Sequence, residues 1–64
     1  MNNLSITDLK LINALPVKFT KKDGKDICNI LMLSPRYFEI FTRKKCFKKH
    51  FTRLFHGVYI KNEL

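Results

Sequence analysis

The stretch NILMLSPRYFEIF, residues 29–41, decides how the chain is read. Ser34-Pro35 marks a helix start. The serine hydroxyl accepts from an otherwise unpaired N–H of the first turn, and proline at the first helical position lacks an N–H that would go unpaired there anyway. Leu31-Met32-Leu33 then makes a turn of about three residues between two helices, the spacing of a helix-turn-helix. Phe38 and Phe41 supply the buried face of the second helix, which the pattern predicts over residues 35–47.

Upstream, Thr20-Lys21-Lys22-Asp23 reads as a capping box, with its acidic residue at the positive end of a helix dipole. It opens a helix over residues 21–31 whose apolar stripe is Ile27, Ile30 and Leu31, with Cys28 beside it. Gly24 lies inside that helix and costs about 1 kcal/mol relative to alanine, so its presence predicts close approach of another element. Phe19, just ahead of the cap, is placed to staple onto the first turn. Before it, Ser5-x-x-Asp8 is a capping pattern, with Thr7 as a competing cap, for a helix over residues 6–15. Leu9, Ile12 and Leu15 recur there at helical spacing, and Pro16 closes the segment. Val17-Lys18 is a short link.

Downstream, FTRLFHGVYIK, residues 51–61, flanks His56-Gly57 with apolar-rich runs, and a two-residue connection with glycine second suits a tight hairpin turn. Pairing Phe55 with Val58 assigns Phe51, Phe55, Val58 and Ile60 to the inner face and turns Arg53, His56 and Lys61 outward. The expected fold is mainly α with a small β-hairpin, a winged helix-turn-helix of three helices plus a C-terminal wing. It forms one domain over residues 1–64, near the size at which a single core barely offsets chain entropy.

The net charge of +8 is unevenly placed. Residues 1–35 carry +2, residues 36–61 carry +7 with Glu39 as their one acid, and Glu63 completes the balance. This asymmetry points to a polyanionic partner, nucleic acid first and an anionic membrane surface second, against the alternative of a merely solvated face. The longest uninterrupted apolar run, Ile30 to Leu33, is too short for a membrane span or a signal core. The chain therefore reads as soluble and cytoplasmic, with no membrane association and with Cys28 and Cys46 reduced.

Ala14-Leu15-Pro16, then Phe19-Thr20 opening a helix, then Leu33-Ser34 opening another, resembles small winged-helix modules at the ends of bacterial replication and mobile-element proteins. Ile27 and Leu31 match the middle helix of that pattern, Arg36 the start of the recognition helix, and Gly57, Tyr59 and Lys61 the wing. The resemblance covers about residues 12–61. It departs at Met32, where such turns usually carry glycine, at Lys45, where a core leucine is expected, at Phe47, which comes late, and at Tyr37 and Ile40. It implies a DNA-binding role in transcription regulation, replication or element transfer.

On that reading Arg36 contacts a base edge, because the start of a recognition helix lies deepest in the major groove and arginine pairs with guanine. Arg43 shares its helix face. Lys44, Lys48, Lys49 and Arg53 are phosphate contacts, Ser34 binds a phosphate through its hydroxyl, and His56 and Lys61 present from the wing. Tyr37 either touches a sugar edge or packs on the first helix. The expected partner is nucleic acid, double-stranded DNA ahead of structured RNA. The alternative is a protein partner or homodimer through Tyr37 and Ile40.

Other chemistry finds less support. Cys46-x3-His50 would put two ligands one helical turn apart, but the spacing of a zinc finger is missing and Cys28 sits on the apolar stripe, so no metal or other cofactor is expected. Asp8, Asp23, Asp26, Glu39 and Glu63 form no pair, there is no glycine-rich phosphate loop, and the chain does not read as an enzyme. Residues 38–55 have the composition of a cationic interfacial helix, a reading that the caps and the His56-Gly57 turn oppose.

Overall fold

The computed structural model of the chain describes residues 4–62. Four helices, together about half of the chain, pack with a three-stranded antiparallel sheet: α1 (Ile6–Ala14), β1 (Lys18–Thr20), α2 (Lys21–Ile30), α3 (Tyr37–Phe41), α4 (Lys45–His50), β2 (Phe51–Phe55) and β3 (Val58–Lys61). The sheet order is β1-β3-β2, so the last strand in sequence is the central one.

The first two helices begin as their caps dictate. The Ser5 hydroxyl accepts from the Asp8 N–H at 3.0 Å. At α2 the box is complete: Thr20 Oγ1 accepts from the Asp23 N–H at 3.1 Å, and Asp23 Oδ2 accepts from the Thr20 N–H at 3.0 Å. On α1 the inward face is Leu11 and Ile12, with Leu15 just beyond, while Leu9 is exposed. On α2, Gly24 and Cys28 are buried, Ile27 and Leu31 pack at the core's edge, and Ile30 faces outward. The expected stripes are thus rotated slightly on both helices. What turns α2 is Gly24, whose bare Cα admits the Phe38 ring; a Cβ there would lie 2.3 Å from Phe38 Cε1.

The turn between α2 and α3 closes in a Schellman arrangement. The Leu33 N–H donates to the Cys28 carbonyl at 2.8 Å and the Met32 N–H to that of Asn29 at 3.0 Å. This geometry places Met32 at φ 64°, where glycine is the usual occupant, and leaves its side chain 92% exposed.

The single helix expected over residues 35–47 is two. After a tight turn from Ser34, α3 lasts five residues. Bonds from the Arg43 N–H to the Ile40 carbonyl (3.1 Å) and from the Lys44 N–H to that of Phe41 (3.0 Å) tighten its end, Lys44 extends at ψ 152°, and α4 starts anew. Helical phase explains the break. In an unbroken helix Lys45 would lie about 40° from Phe41, inside the buried stripe, and Phe47 about 120° away from it. Breaking the helix turns Lys45 to solvent and drops Phe47 into the core.

The strands complete an aromatic core of Phe19, Phe38, Phe41, Phe47, Phe51 and Tyr59. Phe19 and Tyr59 stack with centroids 5.4 Å apart and Phe47 and Phe51 at 4.9 Å, with the other rings meeting edge to face. Such pairs contribute roughly 0.5–1.5 kcal/mol each beyond their buried area. Phe19 is therefore a strand residue opposite Tyr59, and the supposed link at Lys18 is part of β1.

The inner face of the hairpin also differs from expectation. Phe51 is buried, but Tyr59 replaces Phe55, Val58 and Ile60 as its core partner. Arg53 pairs with Tyr59 and Phe55 with Val58, so β2 carries one extra residue, a bulge at Leu54. Because side chains alternate across a strand, Val58 and Ile60 take the face opposite Tyr59. The turn itself forms at His56-Gly57, with Gly57 at φ 78°.

Two substitutions should move stability in opposite directions in urea denaturation. Gly24→Ala forces the buried Phe38 ring aside and should cost about 1–3 kcal/mol. Met32→Gly relieves a left-handed residue, worth roughly 1–2 kcal/mol, against roughly 0.4–1 kcal/mol of added unfolded-chain freedom, and should gain on the order of 0.5–1 kcal/mol.

Candidate functional site

The basic half of the chain divides into cations used internally and cations that face outward. Asp8, only 2% exposed, is the one buried acid among the described residues. Its Oδ1 accepts from the Tyr37 hydroxyl at 2.5 Å, its Oδ2 from the Lys44 ammonium at 2.9 Å, and Lys44 also reaches the Tyr37 oxygen at 3.2 Å. Burial alone raises the pKa of the Asp8 carboxyl, but the hydrogen bonds from Tyr37, Lys44 and Ser5 and the Lys44 charge together hold it below the ordinary 3.8. Lys44 is raised, chiefly by its hydrogen bond to Asp8. Tyr37 is raised by burial and by the same carboxylate. All three groups are thus fixed at neutral pH as carboxylate, phenol and ammonium. Lys44 is committed to the fold, and Tyr37 turns toward α1, leaving Ile40, 53% exposed, as the apolar member of the outer α3 face.

Lys61 is the second cation used internally. Its ammonium donates to the Leu15 carbonyl at 2.9 Å, beyond the end of α1, and lies 5.9 Å from the Phe51 ring centroid. Ser34 Oγ accepts from the Arg36 N–H at 3.2 Å and so serves the turn into α3.

Arg36, Lys48 and Arg53 border depressions that share Arg43. One depression of about 490 Å³ lies between the α3–α4 junction and the hairpin, walled by Thr42, Arg43, Lys48 and Arg53 over a floor of Phe47, Phe51 and Tyr59. A second, of about 200 Å³, is walled by Lys21, Glu39, Arg43, Arg53 and His56. A third, of about 420 Å³, is bounded by Arg36, Glu39, Ile40 and Arg43. Arg43 is common to all three. Among the described residues, no carboxylate lies within 4 Å of the charged atoms of Arg36, Arg43, Lys48 or Arg53. The acid on this surface, Glu39, is matched by Lys25 at 3.3 Å and Lys21 at 3.7 Å; the Lys25 hydrogen bond and both lysine charges hold its pKa low.

Arg36, Arg43, Lys48, Arg53 and His56 are therefore brought onto one surface. Lys49 is not. It lines a separate depression of about 450 Å³ with Leu4, Lys45, Cys46 and His50. There the His50 Nδ1 lies 2.8 Å from the Cys46 carbonyl oxygen, Cys28 is buried in the core, and among the described residues no three His, Cys, Asp or Glu side chains gather. Two residues of the Arg43 surface escaped sequence reasoning. Lys21 arrives there because its N–H donates to the Gly57 carbonyl at 2.8 Å, and Thr42 because the helix breaks after it; neither event has a local signature.

Comparison with models of protein families, with curated proteins and with solved structures gives no match for this chain. Among the described residues no helix is long and apolar enough to cross a membrane.

The Asp8 network sets an acid limb. Because the folded-state pKa of Asp8 is depressed, its contribution is present above the unfolded value of about 4 and is lost as the pH falls through the lower folded value. Urea midpoints measured from pH 6 to pH 2 should fall along this limb. Asp8→Asn should lower stability at pH 6 and flatten the fall.

Proposed function

We propose that the protein is a winged helix-turn-helix module that binds double-stranded DNA, a binding protein rather than an enzyme. The order of elements supports the scaffold: helix, short strand, two helices joined by a tight turn, a further short helix, then a hairpin whose second strand pairs with the first strand. On this reading α2 and α3 are the helix-turn-helix, α3 faces the major groove, and the hairpin is the wing. The observation that carries the binding reading is the Arg43 surface, where Arg36, Lys48 and Arg53 adjoin one central arginine without paired carboxylates.

The roles follow from position. Arg36 stands just ahead of α3 and is the base-edge contact. Arg43, Lys48 and Arg53 meet phosphates, and His56 sits at the wing turn close to the same track. Lys44, bonded to Asp8, and Lys61, bonded to Leu15, act by holding the scaffold. The setting that fits such a module is a transcription regulator or the DNA-binding part of a replication or mobile-element system.

Fluorescence anisotropy with a mixed-sequence duplex at several salt concentrations tests this reading. Three phosphate-neutralising side chains predict a log-log salt slope of about −3. Arg43→Ala should make it shallower by about one, Arg36→Ala should relax sequence preference, and Lys49→Ala should leave the slope unchanged. Absence of binding at low salt would overturn the proposal.

A further inference from the structure

Five of the six phenylalanines are buried in the core, and the sixth, Phe55, is 69% exposed. Its position is set by the hairpin. Without the bulge, Leu54 would oppose Val58 and Phe55 would enter a longer loop. The extra residue instead makes Phe55 the last residue of β2, directly before the two-residue turn at His56-Gly57. An aromatic ring that the core does not use is thereby carried at the hairpin's end, beside a half-exposed Leu54.

The hairpin around it is basic, although Arg53, paired with Tyr59, faces the Arg43 depression while Phe55, paired with Val58, takes the other face. No Asp or Glu occurs between Ile40 and Asn62. His56 follows Phe55 directly, and His56 and Arg53 border the same depression as Arg43. A single aromatic side chain at a narrow tip, with arginines on the hairpin's other face, suits insertion at a base step, where an apolar wedge unstacks neighbouring bases while cations hold the flanking phosphates. A lipid surface would favour a broader apolar face.

We propose that Phe55 is a wedge that inserts between adjacent base pairs when the hairpin meets a DNA duplex. The inference rests on the duplex-binding reading and adds to it a deformation of the DNA that groove contacts alone do not require. Affinity from the Arg43 surface and unstacking by Phe55 are then separable.

The chain contains no tryptophan, so Phe55→Trp introduces a single indole at the tip, excited selectively beside the two tyrosines. The test compares native protein, Phe55→Ala and Phe55→Trp on labelled duplexes, with 2-aminopurine reporting base stacking. Native protein is expected to raise 2-aminopurine emission at one step. Phe55→Ala is expected to lose that rise and about tenfold in affinity, within the range of a lost base–aromatic stack, with the salt slope unchanged. Phe55→Trp is expected to retain the rise, with its indole emission quenched by the duplex.

Duplex binding with no 2-aminopurine rise, and with Phe55→Ala at native affinity, overturns the wedge and leaves the binding reading standing. Failure of the native protein to bind any duplex overturns both. A blue shift of the indole on anionic phosphatidylserine vesicles without quenching on DNA, or a concentration-dependent blue shift with dimer sedimentation in free protein, overturns the wedge in favour of a lipid or a second copy.

Discussion

The architecture depends on one buried carboxylate. Asp8 is drawn out of water at the start of α1 and compensated by a phenol from α3 and by an ammonium from the residue where α3 and α4 part. A buried charge is tolerable only when paired and hydrogen-bonded, and here both oxygens are engaged. Reaching Asp8 goes with an extended Lys44, and an extended Lys44 ends the helical phase of α3. The new phase of α4 turns Phe47 onto Phe51 and Phe41 and leads the chain into β2. Electrostatics at one end of the molecule is in this way coupled to ring packing at the other.

Two separate contacts sort the positive charge. Lys44 and Lys61 lie amid the basic run in sequence, yet each is held by an oxygen of the α1 region. The charge that remains outward is Arg-rich and centred on Arg43, with Lys45 and Lys49 displaced to another side. Arginine suits such a surface because its planar fork meets phosphate oxygens in pairs, whereas lysine offers a point charge. Glu39, shared by Lys21 and Lys25 of α2, removes part of the positive charge from the α3 side and leaves the arginines as its dominant cations.

Local chemistry was legible and relative phase was not. Caps at Ser5 and Thr20, the turn before Ser34, the glycine packed under Phe38 and the His56-Gly57 turn could all be read from short windows, because each depends on residues a few positions apart. The break after Thr42 could not, although Lys45 and Phe47 already stood out of phase; the extended Lys44 that follows it is bonded to Asp8, 36 residues before Lys44. The inner face of the hairpin was misjudged because one bulged residue reverses the alternation that assigns side chains to faces. Of the candidate surface, the clustering of Arg36, Arg43, Lys48 and Arg53 follows from sequence proximity. The withdrawal of Tyr37, Lys44 and Lys61 into the scaffold depends on tertiary partners that no window contains.

The order of the sheet bears on how the chain is assembled. β3 lies between β1 and β2, and Lys18 faces Ile60 across more than half the sequence. During synthesis β1 and β2 have no ladder partner until β3 has been made, so Phe19 and Phe51 wait without the Tyr59 ring that joins them. Closing so long a loop must be offset by contacts that arrive last. Folding is therefore expected as one late, cooperative event, and nascent chains that end before Val58 carry two unpaired strand edges and an open aromatic cluster, the features that recruit chaperones or seed aggregation.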